Sequence, residues 1–442
     1  MGSDTLLVWG VGIGLGFLAV LPFFLHHRAK ERRTMEAEER ARAHGLDEPA
    51  SLHPVIDPER CIGTGSCIAA CPEQDILGIR TGQAVAVSPA NCIGHGICER
   101  ACPVDAIQLV FGTEKRGVDI PRVRADFQTN VPGIYVVGEL GGMGLIRNAF
   151  EQGRQCVEGF TRTGNGRRDD LLDLVVVGCG PAGLSAALTA QAREMRMAVL
   201  EREEVGGTVR HYPRKKLVMT EPLKIPGVGK VGAKEILKED LIRIWEDAVR
   251  GAGLRVETGV TVSGVERLPD GGFRVLSGGG EYLTQRVVLA IGRRGVPRKL
   301  GIPGEDLPNV AYSLREPEAY QGDRLLVVGG GDSAVEAALA LSEQRGNEVR
   351  LSYRGDRFSR IKPKNRDRIQ RAEEKGQVSI LLSTQVLENR KGMALLKPTA
   401  PGAGPDPLPL PNDHLFVFAG GELPTPFLER CGIQIDTKFG EP

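Results

Sequence analysis

Net charge is nearly absent from this chain: 57 Lys and Arg stand against 56 Asp and Glu, a formal charge of +1, which argues against a nucleic-acid partner. Charge is also missing locally, because no residue from Thr5 to Leu25 is ionisable and about twenty apolar residues suffice to cross a bilayer as a helix. A cleavable leader would need basic residues before that run and a small-residue cleavage site after it, and neither is present. Instead Asp4 precedes the run and His26, His27, Arg28, Lys30, Arg32 and Arg33 follow it. The positive-inside rule then predicts one transmembrane helix over residues 5–25 in a prokaryotic inner membrane, with everything downstream cytoplasmic. Gly10, Gly12, Gly14 and Gly16 give overlapping G-x-x-x-G spacings, by which such helices pair, so a homodimer is compatible. Residues 26–51 read as a charged, solvated helical spacer.

Paired C-x2-C hooks, the mark of tetrahedral zinc, are also missing, and disulfides are disfavoured in a reducing compartment. What is present is a duplication, Cys61-x5-Cys67-x3-Cys71-Pro72 and Cys92-x5-Cys98-x3-Cys102-Pro103. It resembles a bacterial-type two-cluster ferredoxin, in which each half reads C-x2-C-x2-C-x3-C-P and the fourth thiolate crosses to the other cluster. That resemblance implies an α+β ferredoxin-like domain over 52–113, with Cys61, Cys67 and Cys102 on one iron–sulfur cluster and Cys92, Cys98 and Cys71 on the other. The second cysteine of each half is replaced, by Thr64 and by His95. An imidazole is a competent iron ligand, so His95 can complete a 4Fe-4S cluster. A threonine hydroxyl is a poor one, which leaves the Thr64 site with a 3Fe-4S cluster or a 4Fe-4S cluster whose last iron takes water. Cys156, Cys179 and Cys431 stand apart and read as small buried hydrophobes.

The 58 glycines cluster where phosphates would be cradled. Leu171 to Val177 reads as a buried parallel strand delivering Gly178, Gly180, Pro181, Ala182 and Gly183 into a helix, and the next strand ends at Glu201, where a carboxylate would hold a ribose. Gly206-Gly207-Thr208 follows as a second close-approach loop. A second fingerprint runs Gly329, Gly331, Asp332, Ser333, Ala334, and its next strand ends at Tyr353 and Arg354 with Arg357 and Arg360 behind. No acid stands at that ribose position, and arginine there favours the 2′-phosphate of NADPH over NADH.

Two such folds with Val287 to Gly292 between them resemble the thioredoxin reductase family of flavoproteins. The resemblance implies an α/β architecture of two three-layer Rossmann-like domains, FAD in the first, with Val260, Ala290 and Gly292 at the flavin nucleotide, and NADPH in the second. The redox C-x-x-C of that family is missing between Val310 and Leu326, and Ala182 stands where bacillithiol disulfide reductases carry cysteine. The pattern is closer to the ferredoxin–NADP reductases of the same superfamily, which have no active-site dithiol.

Also missing is the family's closing segment, which grips the ribityl chain. It occurs upstream as Thr129 to Glu139, followed by a helix from Leu145, so the flavin domain reads as circularly permuted, with Gly138, Glu139 and Asn148 at the flavin. The domain plan is therefore 114–160 as the permuted piece, 171–295 for FAD, 296–412 for NAD(P)H and 413–442 as a return to the FAD domain. The expected function is an NADPH:acceptor oxidoreductase passing electrons through FAD and the clusters to an unidentified one-electron acceptor, or the reverse from a donor. The rival is a non-enzymatic redox or nucleotide sensor with degenerate clusters.

Overall fold

The computed structural model describes residues 3–441 apart from 44, 50–51, 74–75, 143, 163–167, 213, 220–221, 226–228, 232–234, 294, 296, 359–360, 401 and 403–405. It divides into two compact units, one of residues 1–118 with 438–442 and one of 119–437.

In the first unit, Leu52–Ile56 pairs antiparallel with Ile107–Phe111, and Leu77–Arg80 forms a hairpin with Gln83–Ala86. Two short helices, Ser66–Ala70 and Ile97–Arg100, each follow a left-handed glycine, Gly65 and Gly96. The duplication seen in sequence is thus a duplication in backbone. Cys67, Cys98, Ile76, Leu77, Ile79 and Ile107 make the small core between them.

One helix spans Ser3–Ala43, and its second half is not a solvated spacer. Thr34 and Ala41 are buried. The Thr34 hydroxyl accepts the Ile79 amide at 3.3 Å, and a Cβ on Gly78 would stand 2.5 Å from the Thr34 methyl, so this strand needs glycine to take the helix. Glu38 pairs with Arg80 at 2.8 Å and Glu31 accepts the Gly82 amide at 3.0 Å. A polar stripe read as solvent-facing is spent on the Leu77–Ala86 hairpin. Toward the N-terminus, Trp9, Val20, Leu21, Phe24 and Leu25 are exposed, while most other side chains of the uncharged run lie outside the described residues. Among the described residues no helix is long and apolar enough to cross a membrane, so the transmembrane expectation finds no support in the structure.

The second unit carries two parallel sheets. The first has the order Glu257–Thr258, Met197–Glu201, Leu174–Val177, Val287–Leu289, Ile134–Val136, every pair parallel. Its middle strands are Val- and Leu-rich and wholly buried, as a sheet covered on both faces requires. The helix Ile146–Arg162 packs on Pro181–Gln191 so closely that a Cβ on Gly153 would fall 2.0 Å from the Ala182 carbonyl. The strand and helix that precede the first fingerprint in sequence therefore complete its sheet and cover its helix. Along the outer side of the same piece, Arg122 donates to Gln434 O at 2.8 Å through its backbone and to both Asp436 oxygens through its guanidinium. Asp119 accepts from Thr437 at 2.7 Å. The chain's last strand region thus lies beside the start of the 119–162 segment; Pro442 itself is outside the described residues.

The second sheet has the order Val310–Ala311, His414–Val417, Arg324–Val328, Glu348–Tyr353, Val378–Leu382, again parallel throughout. Helices Asp332–Ser342 and Pro363–Glu374 cover it. Here the sequence boundary at 412 is corrected: His414–Val417 lies between two strands of this sheet, and the return to the first domain starts after it.

Candidate functional site

The first sheet, its fingerprint loop and the 119–162 segment enclose a cavity of ≈ 490 Å³. Gly178, Gly180, Pro181, Ala182, Glu201, Gly207, Thr208, Val260, Ala290 and Gly292 line it, together with Gly138 and Glu139. Two of these glycines have a clear local reason. Gly178 has φ +94 and room for no side chain beside the Ala290 carbonyl, and Gly207 with φ +53 approaches Gly180 so closely that a Cβ would meet its α-carbon at 3.0 Å. The helix Pro181–Gln191 therefore opens its N-terminal amides onto a bare backbone cradle, the arrangement that takes a pyrophosphate. Glu201 is buried and accepts the Cys179 amide at 2.6 Å and the Glu203 amide at 2.9 Å, one on each oxygen. A carboxylate has about four lone-pair sites, so both oxygens retain capacity for a ribose hydroxyl.

Three expected residues stand off the cavity wall. A Cβ on Gly183 would fall 1.8 Å from the Gly178 carbonyl, and one on Gly206 would fall 2.5 Å from Ile242, so these glycines serve packing. Asn148 is half-buried between two lining residues, Ile146 and Ala149, but is not itself on the wall. The sequence reading missed Arg202, His211, Tyr212, Thr261, Phe427 and Arg430, which do line it. Only His211 and Tyr212 carried a signal, sitting three and four residues after Thr208 in the close-approach loop. His211 pairs with Glu203 at 2.5 Å.

The lone cysteines are inert here. Cys179 and Cys156 are fully buried; burial pushes the Cys179 thiol up to about 12 and raises that of Cys156 further. Cys431 is buried too, with its thiol raised by the same cause. None is a nucleophile for dithiol chemistry.

At the second fingerprint the helix starts at Asp332, directly after Gly331. Asp332 accepts the Lys362 amide at 2.9 Å and the Asn365 side chain at 2.7 Å, which ties the start of the helix Pro363–Glu374 to the loop. Ala334 is buried beneath Gly329, whereas Ser333 is exposed. Tyr353 lies over Gly330, where a Cβ would be 2.1 Å from its ring, and stacks on Phe358 at 5.6 Å. Arg354 and Arg357 are exposed beside it, and Arg360 is outside the described residues.

In the first unit burial raises thiols of both halves of the duplication. Burial raises the Cys67 thiol, with Cys61 and Cys102 adding to the shift. Burial likewise pushes Cys98 up to about 11, helped by Cys92, Cys71 and Cys67. Burying a thiolate is costly, and a cation that neutralises it removes that cost. Amides already face the sulfurs: Ala84 on Cys61 at 3.4 Å, Gly94 on Cys92 at 3.4 Å and Ala106 on Cys102 at 3.2 Å. Among the described residues no three His, Cys, Asp or Glu form a group fit for a lone metal ion. Thr64 and His95 occupy matching loop positions; Thr64 is exposed and accepts from Ser66, while His95 is half-buried.

Residues 175–441 match the family model described as pyridine nucleotide-disulphide oxidoreductase, and residues 53–103 match the 4Fe-4S dicluster domain. The chain is 35% identical over 255 residues to a ferredoxin–NADP reductase of Ignicoccus hospitalis, covering 57% of this chain and 78% of that protein. It is 26% identical over 272 residues to the bacilliredoxin reductase Bdr of Bacillus subtilis, covering 61% and 82%. Among solved structures it is similar to the bacillithiol disulfide reductase Bdr of Bacillus cereus, with a TM-score of 0.52 and 25% identity over 60% of this chain and 82% of that one. With two dinucleotide folds, a glycine-lined cavity at the first of them and a duplicated six-cysteine motif, the chain belongs to the pyridine nucleotide-disulphide oxidoreductase family, as an FAD-dependent NAD(P)H oxidoreductase that carries a 4Fe-4S dicluster domain.

Proposed function

We propose that this protein is an NADPH:acceptor oxidoreductase that exchanges electrons with a one-electron partner of ferredoxin type. The observation that carries the reading is the pairing of a complete flavin cradle with the absence of any reactive dithiol: the family's C-x-x-C is missing and Cys179 is sealed in the core. FAD and the clusters supply hydride acceptance and single-electron carriage when bound. The chain's residues bind and orient them, Glu201 at the ribose, Glu139 at the ribityl chain, and the amides of Pro181–Gln191 at the pyrophosphate. Arg354 and Arg360 select the 2′-phosphate of NADPH.

The flavin domain is circularly permuted on this reading. Its support is that the family match begins at residue 175, while Ile134–Val136 and Ile146–Arg162 supply an edge strand and a covering helix to the same fold. Membrane attachment at a prokaryotic inner membrane, with a cytoplasmic body, rests on the uncharged run, the basic residues after it and the exposed Trp9, Val20, Leu21, Phe24 and Leu25. Anaerobic purification with flavin, iron and sulfide analysis, followed by steady-state reduction of a one-electron dye by NADPH, tests the enzyme reading. Loaded protein without turnover would favour the sensor.

A further inference from the structure

The two halves of the iron–sulfur module share one backbone frame. Gly63 and Gly94 take φ +71 and +76, and Gly65 and Gly96 take +70 and +69. Two of the positions at which the halves differ bear on the cysteines' chemistry. One holds Thr64 in the first half and His95 in the second. The other is the residue just before each half's first cysteine. Before Cys61 it is Arg60, exposed, with its guanidinium on the Asp105 carbonyl at 3.1 Å. Before Cys92 it is Asn91, whose Nδ2 is buried and meets no hydrogen-bond partner.

The backbone around Asn91 is fixed, since its amide donates to Ser88 O at 3.0 Å and the Cys92 amide to Pro89 O at 3.1 Å. A buried donor left unsatisfied costs about 1–3 kcal/mol, and native proteins seldom leave one. Asn91 directly precedes Cys92, so its buried amide sits beside a cysteine of the iron–sulfur motif.

We propose that Asn91 is a redox-tuning residue: its amide, unpartnered within the protein, donates to a sulfide of the cluster held by Cys71, Cys92 and Cys98, and makes that cluster the one of higher potential. The inference rests on the iron–sulfur reading above. Reduction adds negative charge to a cluster, so a donor aimed at its sulfur stabilises the reduced form, and hydrogen bonds to sulfur are among the determinants of cluster potential. Histidine in place of cysteine acts in the same direction, so both departures of the second half raise its potential. In the first half the counterpart charge of Arg60 faces water, where it is screened.

The test is an EPR-monitored potentiometric titration of anaerobically purified full-length protein. Iron and sulfide content is measured first, because protein that binds neither would fail the iron–sulfur reading rather than this one. Asn91→Leu should lower the midpoint of the cluster whose signal Cys98→Ser alters, by roughly tenfold in the one-electron equilibrium constant, about 59 mV, and leave the other midpoint in place. Asn91→Asp, nearly the same volume but with the donor gone and a charge added, should lower the same midpoint further, and it serves if the leucine variant loads poorly. Arg60→Leu should shift neither midpoint comparably. Unchanged midpoints, equal shifts in both clusters, a shift confined to the other cluster, or loss of a cluster in both Asn91 variants would each overturn the proposal.

Discussion

Arg354 stands exposed at the end of Glu348–Tyr353, past a tyrosine that covers the glycine loop, and no carboxylate shares that position. A guanidinium there can pair bidentately with a 2′-phosphate, a contact NADH cannot offer. Arg354→Ala should therefore raise KM for NADPH roughly ten- to hundredfold, corresponding to about 1.5–3 kcal/mol for a charged hydrogen bond, while KM for NADH stays nearly constant. Equal effects on both nucleotides, read from parallel steady-state curves, would reject the assignment. Glu201 invites the complementary test in the other fold, because its oxygens hold two backbone amides and, in the proposed role, a ribose. Glu201→Gln keeps the shape but turns one acceptor into a donor facing an amide N–H, so the purified variant should retain less FAD than wild type, measured by flavin-to-protein ratio.

At the scale of elements, the helix Ile146–Arg162 is the piece most exposed to a decisive substitution. Two of its glycines differ in surroundings: Gly153 is pressed onto the Ala182 carbonyl, whereas nothing lies within 4 Å of a Cβ on Gly159. Gly153→Ala should destabilise the flavin domain by about 1–3 kcal/mol through overpacking and loosen FAD binding. Gly159→Ala should stabilise it by about 0.5–1 kcal/mol, the gain of alanine over glycine in a helix. Thermal unfolding with flavin fluorescence reads both; a neutral Gly153→Ala would mean the two helices separate without consequence. Much of this architecture was legible in sequence, because strands such as Leu174–Val177 and Arg324–Val328 run straight into glycine fingerprints and the pattern names both strand and turn. The docking of the first helix was not legible. Thr34, Glu31 and Glu38 look like solvent-facing residues until the hairpin at Gly78 arrives against them, and that pairing depends on a glycine about forty residues away. Cavity residues such as Thr261 and Arg430 were hidden for the same reason, being brought to the flavin wall only by tertiary packing. The misplaced boundary at 412 has a different cause: His414–Val417 is a short apolar strand without a fingerprint, and only its neighbours in the sheet say which domain owns it.

At the scale of the whole molecule, the chain joins groups that carry electrons in different numbers. Hydride arrives as a pair, whereas each iron–sulfur cluster takes one electron, so flavin must be reduced before the clusters can be. Stopped-flow mixing of the holoenzyme with NADPH should then bleach the flavin band first and the cluster absorbance afterwards. Cys67→Ala and Cys98→Ala each remove a buried thiol from one half of the duplicated cysteine motif and lie in the unit of residues 1–118, outside the residues that line the flavin cavity. Flavin reduction in these variants should stay within about twofold of wild type, since the barrier to hydride transfer is set at the two nucleotide sites. Onward transfer to a one-electron acceptor that draws on the clusters should fall by more than tenfold. If cluster-deficient protein instead reduces such an acceptor at the wild-type rate, the electrons leave directly from flavin, and the ferredoxin-like unit serves the molecule as a sensor or a scaffold rather than as its wire.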